Sequence, residues 1–384
     1  MDKIIFIRNK NYRPSSYYRV CQYMTESNCK LIGYEPDIFY KIKKKNKLHK
    51  NLINIVMQFI PGYTNRIINI LKIIIKSKFG SYNLYVQRAV FPKFIGPIGK
   101  LLYIVLVKKS NKIFWDFDDN IIESGEVTSF EKDLLEKNSY KIIVGNEFLK
   151  SRLNQLCYSK VDLIPTTDKS MEKTNLGELN NKRMSNYDKE IIIVWVGTFS
   201  NLKFVYKVAD YLDKAALNLL ELHSKKLILN IVCDQPLEYN FQHITLNNIN
   251  WEREVALKNM ERAHIGIMPL EEDFYTPGKC GFKAVQTIGL GIPTIVSPVG
   301  FNKEVIENLY NGYYASTKEQ WIESIMKLST DKEIWLELSK NSRKKWEEKF
   351  NSRDIENYLF EMIGIEKAGS KYDGKEYNSY NNNL

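Results

Sequence analysis

No acidic residue occurs between Asp37 and Asp116, although that span carries sixteen lysines and arginines. The whole chain of 384 residues has 56 Lys and Arg against 45 Asp and Glu, a net charge of +11. Without the acid-free span the balance is 40 bases to 45 acids, so all the excess positive charge lies in one N-terminal stretch. The chain also lacks any run of about 18 apolar residues, which argues against a membrane-spanning helix. Cysteine is sparse: Cys21, Cys29, Cys157, Cys233 and Cys280 are odd in number, far apart and form no CxxC pair. That pattern excludes a disulfide framework and fits neither a zinc site nor a secreted scaffold. The four histidines (His49, His223, His243 and His264) have no metal-ligand spacing, and no metal is expected. Walker A, an intact GxGxxG and a nucleophile elbow are all missing. The first residues, Met1-Asp2-Lys3 before Ile4–Ile7, turn polar too quickly for a secretory signal, so a cytoplasmic protein is expected.

What is present is an ordinary globular composition, 44% hydrophobic and 26% charged, long enough for two domains. The basic stretch opens with Lys41, Lys43, Lys44, Lys45, Lys47 and Lys50. Two apolar-basic segments follow, Leu52–Ile60 and Ile67–Lys78, separated by the breaker Pro61-Gly62. Basic amphipathic segments lie in membrane interfaces, so Lys41–Lys78 reads as a surface for anionic lipid and the protein as peripheral to a membrane. A solvated lysine-rich face is the plainer alternative. Nucleic acid is not the expected partner, because no recognised binding motif accompanies the charge.

Short apolar runs alternate with helix-length segments. Lys3–Arg8, Asn83–Gln87, Lys112–Asp116 and Lys141–Val144 read as strands, with helices near Ser15–Met24, Gly99–Val107 and Phe130–Lys137. From Thr166 to Glu190 the pattern stops, and the polar stretch reads as a linker. It restarts with strands at Ile191–Val196, Leu227–Val232, His264–Pro269 and Pro293–Ser297, and helices at Phe204–Leu222, Glu252–Arg262 and Phe282–Gly289. Strands separated by helices define parallel sheets, so the expected class is α/β, two doubly wound Rossmann-like domains facing a cleft. The expected divisions are a first domain over residues 1–165, a linker over 166–190 and a second domain over 191–350. A helix over 351–365 returns to the first domain, and a disordered tail occupies 366–384.

In open α/β sheets ligands bind beyond the carboxyl ends of the strands. Gly197-Thr198-Phe199-Ser200-Asn201 follows the strand ending at Val196 and offers a glycine, hydroxyls and a helix start, the makings of an anion site. After the strand ending at Pro269 come Glu271, Glu272 and Asp273, then Gly278, Lys279, Cys280, Gly281, Phe282 and Lys283. Lysines at a helix start oppose the helix dipole, so Lys279 and Lys283, four apart on one helical face, point to an anionic ligand such as a diphosphate. At the end of the strand through Trp115 lies Asp116-Phe117-Asp118-Asp119-Asn120, whose carboxylates suit sugar hydroxyls, a metal or acid-base work.

Gly278–Gln286 followed by Gly289–Gly300 resembles the donor-binding signature of group 1 (family 4) glycosyltransferases. Gln87-Arg88-Ala89, Asp116–Asp119, Val144-Gly145-Asn146, Trp195-Val196-Gly197, Gly266–Leu270 and Asn311-Gly312 agree in order. The resemblance implies a B-type fold. It also implies transfer of a sugar, with retention, from a UDP- or GDP-linked donor on the second domain to an acceptor on the first, without metal or cofactor. A lipid-linked or growing cell-surface glycan is the implied acceptor. The family's two glutamates fall here on Gly278 and Gln286; Gln286 keeps the ability to hydrogen-bond a ribose hydroxyl. Thr198 stands where the family has arginine, leaving Lys203, Lys279 and Lys283 for the phosphates. An aspartate, Asp118 or Asp116, replaces the family histidine. Carried over in this way, Asp118, Lys283 and Glu272 are the expected catalytic residues. Arg88, Asp116, Gly197, Thr198, Lys203, Glu271, Asp273, Gly278, Lys279, Cys280, Gly281, Phe282 and Gln286 are the expected substrate contacts. An epimerase or hydrolase of the same fold, or a non-catalytic carbohydrate-binding protein, is the alternative.

Overall fold

The computed structural model describes residues 1–24, 27–37, 52–273 and 276–365. Lys41–Lys50 and the tail from residue 366 therefore lie outside the described residues. Among the described residues twelve strands form two six-stranded parallel sheets. The first contains β1 (Asp2–Ile7), β2 (Cys29–Gly33), β3 (Tyr82–Gln87), β4 (Ile113–Phe117), β5 (Lys141–Val144) and β6 (Val161–Leu163), ordered β2-β1-β3-β4-β5-β6. The second contains β7 (Glu190–Val196), β8 (Lys226–Cys233), β9 (Ile244–Asn250), β10 (Ile265–Met268), β11 (Thr294–Val296) and β12 (Gly312–Tyr314), ordered β12-β11-β10-β7-β8-β9. β3 and β4 are buried along their whole length, as a parallel sheet covered on both faces requires.

Strand order reverses between β1 and β3 in the first sheet and between β7 and β10 in the second. These two switch points open crevices at the carboxyl ends of their strands. The helix Ser352–Ile363 leaves the second domain and packs Ile355, Leu359, Phe360 and Ile363 against Ile5, Ile7, Tyr85 and Phe114 of the first sheet. Asn83 donates to the Ile363 carbonyl (3.2 Å) and Tyr358 to Asp162 (2.7 Å), fixing that crossing.

Two expectations change here. Pro61-Gly62 does not divide two segments: Leu52–Lys76 is one helix with Pro61 inside it. A Cβ at Gly62 would lie 2.7 Å from the Tyr34 ring, so the glycine serves a close approach of the helix to the loop after β2. Residues 166–190 are also more than a loop. They hold a 3₁₀ turn (Lys169–Lys173) and a helix (Leu176–Met184) capped by Asn175, whose side chain accepts from the Glu178 amide. Arg183 is buried and donates to the carbonyls of Glu261 and Leu290 (both 3.0 Å), tying this segment to the second domain. Its polar composition conceals the packing because the buried anchor is a charged residue.

Candidate active site

At the second switch point the loop after β7 is Gly197–Asn201. A Cβ on Gly197 would collide with the Trp195 ring, so only glycine passes that indole. Phe199 donates its N–H to Asp234 (2.8 Å), leaving its ring exposed at the lip. Asn201 accepts from Lys279 Nζ (2.6 Å), and Lys279 Nζ and Lys203 Nζ lie 5.0 and 4.7 Å from the Phe204 ring centroid. Two ammonium groups from different segments thus flank one loop. Partial burial lowers the Lys279 pKa, opposed by the nearby carboxylates of Asp119 and Asp273 and helped by Lys203.

Lys279 and Lys283 do not share a helical face. Gly281, at φ +56°, caps a helix that begins only at Phe282, and the left-handed turn sends the two side chains apart. Lys279 reaches toward Asn201, whereas Lys283 lies beneath the switch point with Val194, Val196, Ile267 and Met268 and donates to Gln286 Oε1 (3.1 Å). Burial pushes the Lys283 ammonium down to about 8. Burial also raises the Cys280 thiol, with Asp118 and Asp119 adding to the effect, to about 12, so this cysteine is a neutral lining group.

Glu271, Glu272 and Asp273 are exposed on the loop after β10. Glu271 is paired with Lys207, and Asp273 accepts from the Thr276 amide (2.7 Å). Nothing brings Glu272 to Lys283 or Asp118.

On the first domain the switch-point loops begin with Arg8 after β1 and Arg88 after β3. Arg88 has φ +66°, a conformation costing an L-residue about 1–2 kcal/mol. Its amide donates to the Asp116 carbonyl (2.7 Å), and its carbonyl accepts from the Trp115 indole (2.8 Å). So held, its guanidinium reaches Asp118 (3.1 Å), Asp119 (3.2 Å) and Glu126 (3.1 Å). Glu126 also accepts from Arg8 (3.2 Å), and Arg8 and Arg13 share Glu35. Burial works to raise the Glu126 pKa, but Arg88 and Arg8 outweigh it and hold the carboxyl below its usual range. Arg8, Arg13, Glu35 and Glu126 were not singled out by the sequence reading. The available signal was that Arg8, like Arg88, directly follows a strand.

Two expected contacts are sealed off. Asp116 is fully buried and ion-paired with Arg19, which also donates to the Ile164 carbonyl (2.6 Å); it supports the β4 end and presents nothing to a ligand. Gln286 is 3% exposed, donates to Asp168 (2.7 Å) and hydrogen-bonds Tyr18, so in this arrangement no ribose reaches it. Asp118 is scarcely more exposed (4%), held between Arg88 and the Thr166 hydroxyl (3.0 Å), with its charge close to Cys280 of the second domain.

The domains close directly on these residues. The Tyr18 and Phe282 rings pack at a tilt with centroids 4.4 Å apart, and Arg253 covers Tyr17 at 3.2 Å. Asn146 donates to the Lys279 carbonyl (3.4 Å). Gly278 abuts Asn120, and a Cβ there would lie 2.8 Å from the Asn120 Cβ.

Residues 190–331 match the family model described as glycosyl transferases group 1. Solved structures of the same shape include HepE from Anabaena in complex with UDP, 11% identical with a TM-score of 0.64, covering 95% of this chain and 100% of that one. A glycosyltransferase from Rickettsia africae is 14% identical with a TM-score of 0.59, covering 94% and 97%. Sucrose-phosphate synthase from Thermosynechococcus elongatus is 13% identical with a TM-score of 0.57, covering 94% and 88%. A search of curated proteins finds no match. Residues 190–331 thus resemble the group 1 glycosyltransferases, and the chain shares the two-domain B-type fold of these solved structures.

Proposed function

We propose that the protein transfers a sugar from a nucleoside-diphosphate donor, UDP- or GDP-linked, to a hydroxyl of a glycan acceptor with retention at the anomeric carbon. The carrying observation is the cation pair Lys203 and Lys279 at the second switch point, with Lys283 beneath it. HepE, of the same fold, binds UDP. In the reaction the bond from C1 to the diphosphate oxygen breaks and the acceptor oxygen bonds C1 on the same face. The acceptor proton passes to the departing phosphate. Charge grows on the diphosphate as it leaves, and preorganised cations there supply the largest catalytic effect. The reading assigns that work to the three lysines with no resident metal or cofactor. Arg88, Asp118 and Asp119 bind acceptor or sugar hydroxyls from the facing domain, and Glu272 is assigned to the sugar only if its loop folds inward on donor binding.

The acceptor is proposed to be lipid-linked or a growing cell-surface glycan, met by a peripheral protein at an anionic membrane face. No helix among the described residues is long and apolar enough to cross a membrane.

A thermal-shift panel of UDP-, GDP-, ADP- and dTDP-sugars tests the donor assignment. At 100 times its dissociation constant a ligand adds about 2.7 kcal/mol, a rise of roughly 5–10 °C for domains of this size. Silence across the panel would refute it and favour a carbohydrate-binding protein, the reading that Gly278 and Gln286 support by lacking carboxylates. Proton NMR of the product's anomeric signal decides retention.

A further inference from the structure

The helix Leu52–Lys76 covers the first sheet with Arg66, Ile70 and Ile73. A surface helix normally turns polar residues outward. This one instead exposes Ile68 (45%) and Ile75 (79%), and Phe79 just beyond it is 77% exposed. The helix Pro97–Lys109 lies beside it in the same direction. The Tyr63 hydroxyl sits over Gly96 and Gly99 near one end, and Lys109 donates to the Ile74 carbonyl at the other. It too turns apolar side chains outward, Ile98 (67%) and Leu101 (63%), next to Phe94 (57%). Large apolar side chains left exposed on two neighbouring helices mark an interaction site.

We propose that this two-helix face seats on an anionic lipid bilayer, its apolar side chains entering the headgroup layer and its lysines lying among the headgroups. Charge selects this occupant. Lys72, Lys76, Lys93 and Lys100 are exposed around the apolar residues, and no acid lies anywhere from residue 38 to 115. A second copy would set lysine against lysine across a self-complementary contact. Lysine stems instead lie along apolar surface while their heads reach phosphate, the pattern of interfacial helices. The helix's arginine is not part of the charge: Arg66 is buried and donates to the carbonyls of Ile32 (3.1 Å) and Ile7 (3.0 Å). The face therefore differs from the lysine-rich stretch legible in sequence, since Phe94, Ile98 and Leu101 lie beyond that stretch.

Its position gives it a use. The loop that begins at Arg88 runs through Lys93, whose amide donates to the Glu126 carbonyl (2.7 Å), and reaches Phe94 and Ile98. Glu126 in turn holds Arg8 and Arg88 at the first switch point. A bilayer touching Phe94 and Ile98 is thus a neighbour of the acceptor crevice. This last step rests on the glycosyl-transfer reading; the bilayer seat does not.

The test is co-sedimentation of the full chain, without nucleotide or acceptor, with vesicles of phosphatidylglycerol and phosphatidylcholine and with phosphatidylcholine alone. Expected is binding to the anionic vesicles that persists in part at about 0.5 M salt, where charge attraction is screened within a few ångströms. Ile98→Ser and Leu101→Ser should each weaken partitioning about tenfold, and Lys72→Gln with Lys100→Gln should steepen the loss with salt. These positions are exposed, so unchanged melting temperatures and nucleotide-induced shifts separate a failed seat from a failed fold or a failed transferase reading. Absence of vesicle binding, or binding indifferent to both serine variants, overturns the proposal. So does a dimer in sedimentation equilibrium that Ile98→Ser dissociates.

Discussion

Gly278→Ala tests whether the closed cleft is the working one. Gly278 carries no positive φ, so alanine is allowed by the backbone and the perturbation is steric alone. The added carbon would stand 2.8 Å from the Asn120 Cβ, 3.3 Å from Phe148 Cε1 and 3.4 Å from Leu149 Cδ2. Carbon contacts are optimal at about 3.5–4.0 Å, so the two domains must separate by about 1 Å there. The nearest neighbour is not a flexible tip: the Asn120 Cβ belongs to a residue 4% exposed on the turn after β4. Overpacking of this kind costs about 1–3 kcal/mol, charged here against closure and not against either fold. The expected loss in kcat/KM is about 5- to 150-fold, with the dissociation constant of the bare nucleotide little changed. Asn120→Gly removes the opposing carbon, so the double variant should recover most of the loss relative to Asn120→Gly alone. Unchanged kinetics in Gly278→Ala would show that catalysis does not pass through this contact. Higher activity in Gly278→Glu would show instead that the chain simply lacks a useful carboxylate.

Lys283 should make nucleotide binding pH-dependent. Its ammonium is lowered to about 8 by burial, and a bound diphosphate favours the charged form, so binding takes up a proton above about pH 8 and weakens as pH rises. Calorimetry in buffers of different ionisation enthalpy reads that proton, and a binding enthalpy independent of buffer would remove Lys283 from the phosphate site. Arg19→Met should destabilise the first domain by about 3–5 kcal/mol, because it strands the buried Asp116 carboxylate. Denaturant unfolding measures this, with Arg19→Met/Asp116→Leu expected to regain much of the loss; a single variant as stable as the parent would refute the pairing argument.

The sequence made legible whatever depends on local pattern. β3, β4 and β7 are mostly apolar because both faces of a parallel sheet are covered, and their ends placed Arg88, Asp118 and Gly197 at the switch points. β9 escaped notice because Ile244–Asn250 is an edge strand with mostly polar, exposed residues. Contacts between distant segments were not readable. Gln286 meets Asp168 across 118 positions, and Arg19 meets Asp116 across 97, with no periodicity to announce either. Spacing also misled where one glycine changed hand: Gly281 undid the shared face of Lys279 and Lys283. Arg66 shows the same limit for charge, since a buried arginine capping two carbonyls counts in composition like a surface one.

The departures at 278 and 286 are best understood together. Both positions are domain contacts: Gly278 lies on Asn120, and Gln286 bonds Asp168 while reaching Tyr18 of the first domain. The acids near this closed seam, Asp118, Asp119 and Asp168, lie outside the second domain's sheet, whereas Lys279 and Lys283 lie within that domain, close to Asp119 and Asp168 respectively. Glutamates at 278 and 286 would bring five carboxylates into one seam and push several toward protonation. A glycine and a neutral amide let acid face base across the cleft, Asp119 toward Lys279 and Asp168 toward Lys283. On the proposed glycosyl-transfer reading, an arriving diphosphate would compete with Asp119 and Asp168 for those ammonium groups, which would couple donor binding to closure through charge.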